Sequence, residues 1–451
     1  MNPNVLILSI DSLRSDRIFG KNKSAFTPNL DKIIENGIYF KQAISTADAT
    51  GLSLGSLATA KYSFRTGSTQ FGINPDMFTY FQLFKNFDYN TYATVPDLSF
   101  FLKLTKFFTE SDPYTYFKRE SWLRLAGGIG KSILNRIEQK NKKPWIYFIH
   151  LMDLHAPFYI PREFDSEKFG KTPYDRMISS IDSWIGNLFE VIDSENTLVI
   201  VTADHGDHIP VVENWGKPVK VNLMLKKFKE KFPAFESVGV RILNQYSTLK
   251  QKKQMNKLKK NLTEKQLQAL LGRSQNVLYD ELINIPLIFY GYGIKKPKII
   301  SNQVRQVDIL PTIADILQVS NPEDVDGRSL LPLINDVHLE ELPAYIETGI
   351  RVIKEKNTKI PKKEGKIFGI RTSKYKYWRS RYDPKQDVTL FDLKEDPDEE
   401  KNIADKNPSI VSEMEDILIS IKKTPNSTSQ NHFSSDEEKM IEDELRKLGY
   451  L

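Results

Sequence analysis

The chain contains no cysteine. That excludes disulfides, zinc–thiolate sites, iron–sulfur clusters and a cysteine nucleophile. It also lacks any apolar stretch near the roughly 20 residues that a membrane-spanning helix requires. The first apolar run, Val5–Ile10, is preceded by no basic segment, is too short for a signal peptide and ends on Asp11. A cytoplasmic location is therefore expected. Histidine is scarce, with 6 in 451 residues, so where it falls is informative.

The chain is otherwise of ordinary globular composition, 40% hydrophobic and 27% charged, which rules out disorder throughout. The net charge of +6 is unevenly spread. Residues 217–273 hold 15 Lys/Arg against 3 Asp/Glu, a local +12, and the rest of the chain is net acidic by 6. The basic character therefore belongs to one segment.

Val5–Ile10, Ile146–Leu151, Thr197–Thr202 and Pro286–Tyr290 are apolar runs of strand length, the pattern of strands buried on both faces. Helical spacing separates them, in Tyr174–Val191 and Val307–Leu317. The alternation predicts an α/β fold with a mainly parallel mixed sheet between helices. After about residue 335 the texture changes. Ile367–Thr372, Tyr375–Arg381 and Val388–Leu393 read as a small antiparallel meander, with helices at about Ile410–Ile421 and Asp436–Leu448. The polar stretch Thr424–Ser435 between them reads as mobile. The expected organisation is a catalytic domain over 1–335, with a basic insertion at about 209–275, and a C-terminal subdomain over 336–451.

Open α/β sheets bind ligands at the carboxyl ends of their strands. Asp11 comes directly after the first run. His150 closes the second, and Asp153 and His155 come after it. Asp204-His205-Gly206-Asp207-His208 comes after the third. Four of the 6 histidines thus fall just after two strands, which points to a metal or phosphate site. Each residue has a plainer reading as well. Asp11 can be a helix cap and His150 a satisfied core histidine.

Together these segments resemble the sulfatase family of the alkaline phosphatase superfamily. VLILSIDSLRSD is similar to its opening strand and first metal carboxylate. TGLSLGSLATA (Thr50–Ala60) and YSFRTG (Tyr62–Gly67) resemble its nucleophile segment, and FIHLMDLHAPF (Phe148–Phe158) its substrate-contacting histidine motif. VTADHGD, LYDELINIPLI, VRQVDILPTIADIL, DGRSLLPLI and TLFDLKEDPDEEKNIA come in family order. The resemblance leaves out only about residues 209–274. It implies an alkaline-phosphatase-like fold, and one divalent cation held by Asp11, Asp204, His205 and the oxygen of Thr50. Mn²⁺, Mg²⁺, Ca²⁺ and Zn²⁺ all suit three oxygens and one nitrogen.

Two departures bear on activity. The family carries Cys or Ser in a Cys/Ser-x-Pro-x-Arg pattern and oxidises it to formylglycine, whereas Thr50, Leu52 and Leu54 stand here. Oxidised threonine would be a ketone, without the aldehyde hydrate that attacks sulfate. Relatives often carry His-Gly where this chain has Arg273-Ser274-Gln275-Asn276. The expectation is a metal-dependent hydrolase or transferase of phosphoesters or phosphodiesters, with Thr50 as nucleophile and His155, then His150, at the leaving group. Arg14, Lys217 and Arg273 are the candidate substrate-binding cations. Alternatives are a sulfuric-ester hydrolase and a non-catalytic binder of an anionic glycan or lipid head group. The basic insertion reads as a lid over an anionic substrate, a contact with an acidic membrane surface, or a solvated hairpin. Nucleic acid is a weaker expectation, because no recognised binding motif accompanies the charge. Oligomeric state is not legible.

Overall fold

The computed structural model describes residues 2–116, 124–139, 143–209, 256, 258, 260–271, 276–349, 351–353, 362–364, 367–423, 439–440 and 443–444. Among these, one sheet holds nine strands. They are β1 (Asn4–Ile10), β2 (Ile38–Ile44), β3 (Asn90–Thr94), β4 (Glu110–Ser111), β5 (Trp145–Leu151), β6 (Thr197–Thr202), β7 (Asn284–Ile285), β8 (Leu287–Gly291) and β9 (Lys298–Arg305). Their order is β4-β3-β5-β1-β6-β8-β2-β7, with β9 beside β2.

The apolar runs give the centre of this sheet. Every residue of β5 and β6 is buried, as is β1 from Val5 onward. β1 lies parallel between β5 and β6 and in step with both, so that Ser9 stands level with His150 and Thr202. Three strands therefore end along one line. The run containing Leu287–Gly291 pairs antiparallel with β6. An unbroken apolar run reports burial on both faces and is silent about direction, which is why β8 sits in a sheet that is otherwise mostly parallel.

Helices cover the sheet. α1 (Pro28–Asn36) is anchored by a carboxylate from α2 (Pro173–Val191): Asp182 accepts from the amides of Asn29 (3.1 Å) and Leu30 (2.7 Å), satisfying donors that the helix start leaves open. α2 itself starts in a capping box of Thr172 and Asp175.

The C-terminal region forms a separate antiparallel sheet of four strands: β10 (Ala344–Glu347), β13 (Ile367–Arg371), β14 (Tyr375–Ser380) and β15 (Thr389–Asp392). Between β10 and β13 lies a two-stranded pair, β11 (Arg351–Ile353) and β12 (Lys362–Glu364). α3 (Pro408–Lys422) closes the sheet's apolar face through Met414 and Leu418, against Phe368, Ile370, Tyr377 and Leu390.

Residues 208–275 make a compact unit of their own, in which Glu264–Leu271 is helical. Lys217, Arg273, the expected helical stretch Met224–Phe228 and the polar stretch Thr424–Ser435 lie outside the described residues, as does most of Asp436–Leu448. Among the described residues no helix is long and apolar enough to cross a membrane.

Candidate active site

The aligned strand ends bring Asp11, Asp204 and His205 together. One ligand atom from each lies within 4.8 Å of the others, and all three side chains are buried. Among the described residues no other trio of such side chains is gathered in this way, and His150, Asp153 and His155 are not. Thr50 closes the cluster from a different element. It opens the buried helix Thr50–Thr59, whose preceding residue, Ala49, offers no side-chain cap. Its hydroxyl lies 3.3 Å from Asp11 Oδ1 and 3.2 Å from His205 Nε2. The positive end of the helix dipole thus faces the group of carboxylates. Gly51 is needed next to it, because any Cβ there would collide with the Gln70 backbone.

The hydrogen bonds around the cluster are lopsided. Asp204 Oδ1 accepts from the amides of Ser12 (3.0 Å) and His205 (2.8 Å). Its Oδ2 is buried and accepts no hydrogen bond, with His205 Nε2 3.4 Å away. His205 Nδ1 lies 2.7 Å from the Gly206 carbonyl, which can only accept. That contact puts the ring proton on Nδ1 and leaves a lone pair on Nε2, turned toward the carboxylates. Two carboxylates, a hydroxyl and a bare imidazole nitrogen form a hard, mainly oxygen donor set. An orphaned carboxylate oxygen at its centre fits a divalent cation, held by Asp11, Asp204, His205 and Thr50.

A polar cradle holds the backbone beneath Asp204. Its carbonyl accepts from Ser45 Oγ (2.6 Å), Ser53 Oγ (2.6 Å) and Gln306 Nε2 (3.1 Å). Sequence reasoning missed all three residues, which carry no charge and fit no periodic signal. The next turn is pinned as well. The Gly206 amide donates to Leu282 O at 2.7 Å, and a Cβ at Gly206 would collide with the Glu281 carbonyl.

The other expected residues occupy distinct settings. His150 is fully buried, with Nδ1 3.1 Å from Ser9 Oγ and no partner for Nε2. Burial pushes its imidazole down to about 4; Asp11 pulls the other way, and His205 adds to the drop. It is therefore a neutral ring near pH 7. His155 sits beside Tyr116, with Nδ1 2.9 Å from the Ala156 carbonyl and 3.3 Å from Tyr116 Oη. Arg124 binds the same layer, donating to His155 O at 3.1 Å and to Tyr116 Oη at 3.0 Å. Arg14, expected to contact substrate, has its guanidinium turned to Asp16 (2.8 Å) and Glu281 (3.2 Å) and to the Asp207 carbonyl (3.3 Å). It braces the turn that carries Asp204 and His205.

The family profile Sulfatase matches residues 3–319, more than half of the chain. The chain belongs to the sulfatase family. A second profile, N-sulphoglucosamine sulphohydrolase C-terminal, matches residues 274–424. Arylsulfatase K of Gallus gallus is 32% identical over 157 residues, which are 34% of this chain and 29% of the relative. Delta 4,5-hexuronate-2-O-sulfatase of Bacteroides thetaiotaomicron is 32% identical over 133 residues, which are 29% of this chain and 26% of the relative. The matched stretch is thus under a third of the length of either curated relative. Among solved structures, a chain described as a 4S-sulfatase in the metabolism of multiple glycosaminoglycans by Bacteroides thetaiotaomicron superposes with a TM-score of 0.66 at 15% identity, covering 98% of this chain and 99% of that one.

These findings correct the expectation of a phosphorus-ester enzyme. That reading rested on one residue, Thr50 in place of a formylglycine precursor. The family match extends over the whole sheet and site, and the curated relatives are named for sulfate esters. The sulfuric-ester alternative is the one that fits.

Proposed function

We propose that this sulfatase-family chain hydrolyses sulfuric esters of an anionic glycan. The observation that carries the reading is the convergence of Asp11, Asp204 and His205 on the Thr50 hydroxyl at the strand ends. A bound divalent cation would polarise the sulfuryl oxygens and make the Thr50 hydroxyl more acidic. In this reading the Thr50 proton passes to Asp11 Oδ1 while Oγ1 bonds to sulfur and the bond from sulfur to the glycan oxygen breaks. His155 in its protonated form gives a proton to that leaving oxygen. Its Nδ1–H is tied to the Ala156 carbonyl, so Nε2 is the nitrogen that delivers. Water then attacks the sulfur of the threonyl sulfate, giving a proton to the now neutral His155, while Thr50 Oγ1 leaves and takes back the proton held on Asp11; hydrogen sulfate is released and Thr50, Asp11 and His155 are restored. In this reading the open amides of the first helical turn after Ala49 would hold the negative oxygens. The glycan as substrate class is supported by the hexuronate-2-O-sulfatase and by the glycosaminoglycan setting of the structural neighbour.

The test measures sulfate release from a sulfated disaccharide and from an aryl sulfate, across a panel of Mn²⁺, Mg²⁺, Ca²⁺ and Zn²⁺, with Thr50→Ala as comparison. Release that needs both a metal and Thr50 supports the reading. No release with any metal, or equal release by Thr50→Ala, ends it.

A further inference from the structure

The C-terminal sheet carries a second concentration of chemistry, built from none of the residues of the cluster. The last turn of α3, strands β13 and β14 and the turn after β14 border an open cleft of about 340 Å³. Arg379, Arg381, Lys422 and Lys423 line it, with Phe368 and Tyr382 among them. Arg379, Arg381 and Lys422 all stand over the Phe368 ring, at 4.7, 5.4 and 4.3 Å. Cation–π attraction helps hold the three cations there but neutralises none of them.

Charge is left over. Arg379 pairs with Glu415 at 2.7 Å and Arg381 with Glu347 at 2.6 Å. Lys422 and Lys423 form no ion pair among the described residues. Burial holds the half-buried Lys422 ammonium below the usual lysine range; Arg381 and Arg379 push the same way, and Glu347 pulls the other way. The rim is of another kind: Tyr382 is 56% exposed and Ile419 39% exposed. The shallow cleft therefore offers excess positive charge, on half-buried Lys422 and exposed Lys423, beside an aromatic face. Its volume lies within the range of roughly 300–1,000 Å³ typical of small-ligand sites. A pyranose bearing a sulfate or carboxylate matches both features, its C–H face for Tyr382 and its anion for Lys422 and Lys423.

We propose that this cleft binds one sulfated or carboxylated sugar unit of a glycan, as a site separate from the catalytic cluster. The choice of a sugar rests on the anionic-glycan reading above; the cleft's preference for an anion does not. The experiment titrates the full chain calorimetrically with a heparin-derived hexasaccharide, its fully desulfated and carboxyl-reduced counterpart, inorganic sulfate, and phosphatidylserine vesicles. Lys422→Gln/Lys423→Gln and Tyr382→Ala are compared with wild type, with thermal midpoint and sulfate release from a small aryl sulfate as controls. The expected result is a loss of at least about tenfold in hexasaccharide affinity at one site in both variants, with both controls unchanged and no binding of the neutral sugar. Unchanged isotherms in both variants overturn the proposal. So does inorganic sulfate binding as tightly as the hexasaccharide, or vesicle binding that alone depends on these residues. Hexasaccharide binding through the cleft without any sulfate release would leave the cleft standing and remove the catalytic reading. Sulfate release with cleft variants that bind normally would do the reverse.

Discussion

Two of the regions that bury charge treat it in opposite ways. Where the C-terminal sheet meets residues 279–283, every buried charge has a partner. Lys376 is fully buried between Asp280 and Glu399, and Arg371 binds Asp280 at 2.8 Å and Gln303 at 2.9 Å. Those cations hold the Asp280 carboxyl far below the usual carboxylate range, against a burial that alone would raise it. At the strand ends, Asp11 and Asp204 are equally buried, yet among the described residues neither has a Lys or Arg ion pair, and Asp204 Oδ2 accepts no hydrogen bond. Buried carboxylates are costly unless paired or bound to a metal. The first region is compensated internally and holds the fold; the second is built for something brought from outside.

The contrast can be broken from either side. Lys376→Met leaves Glu399 and Asp280 without their shared cation, and removing one partner of a buried pair costs about 3–5 kcal/mol. Chemical denaturation should show that loss. At the strand ends Asp204→Asn should do the opposite, sparing or raising stability of the metal-free chain. Because even outer partners of metal ligands cost roughly 10–100-fold, loss of this ligand should cut metal affinity and sulfate release by about 100-fold or more. Elemental analysis after dialysis, beside a melting curve, checks both halves. A variant that holds stoichiometric metal would dissolve the contrast.

Asp153 stands between the two extremes. Burial raises its carboxyl to about 6, while nearby Arg124 and the Leu125 amide pull the other way. A carboxyl raised in the folded state adds stability at pH below its unfolded value near 4, and that contribution fades as pH rises through about 6. Asp153→Asn removes the dependence. The variant should therefore gain about 2 kcal/mol on wild type between pH 4 and pH 7, read from denaturation midpoints at the two pH values. A constant difference across that window would show that Asp153 is already compensated. The smallest effect is expected at Gln306→Ala. It removes one of three donors to the Asp204 carbonyl and should weaken metal binding by about tenfold, with little change in fold.

Much of this arrangement was legible from residue order. The apolar runs located β1, β5 and β6, and the polar residues just after β1 and β6 include Asp11, Asp204 and His205, which the fold brings together. Helical spacing placed α2 and α3, and short punctuated runs placed the C-terminal meander. Strand direction was not legible, since Leu287–Gly291 looks the same in either sense. Nor was the cradle of Ser45, Ser53 and Gln306. Three neutral side chains drawn from distant segments meet at one carbonyl, and no local pattern announces them. Arg14 was expected to meet substrate because an arginine near a candidate anion site invites that role. Its partners, Asp16 and Glu281, are visible only once residues 14 and 281 are brought side by side.

The junction at Gly206 ties the two regions into one opening unit. Its amide is bonded to Leu282 O, and the backbone of the Asp204-His205 turn lies so close to Glu281 that no side chain fits between. Residues 279–283 in turn carry Asp280, the hub of the ion network with Lys376 and Arg371. Local unfolding proceeds in cooperative units of this kind. The Gly206 amide should therefore exchange with solvent deuterium at the same rate as the amides around Lys376, and Lys376→Met should speed both together. Exchange at Gly206 that ignores that substitution would separate them. With the coupling intact, the Asp204-His205 turn cannot loosen on its own, and the small sheet sets how long the carboxylate cluster keeps its arrangement.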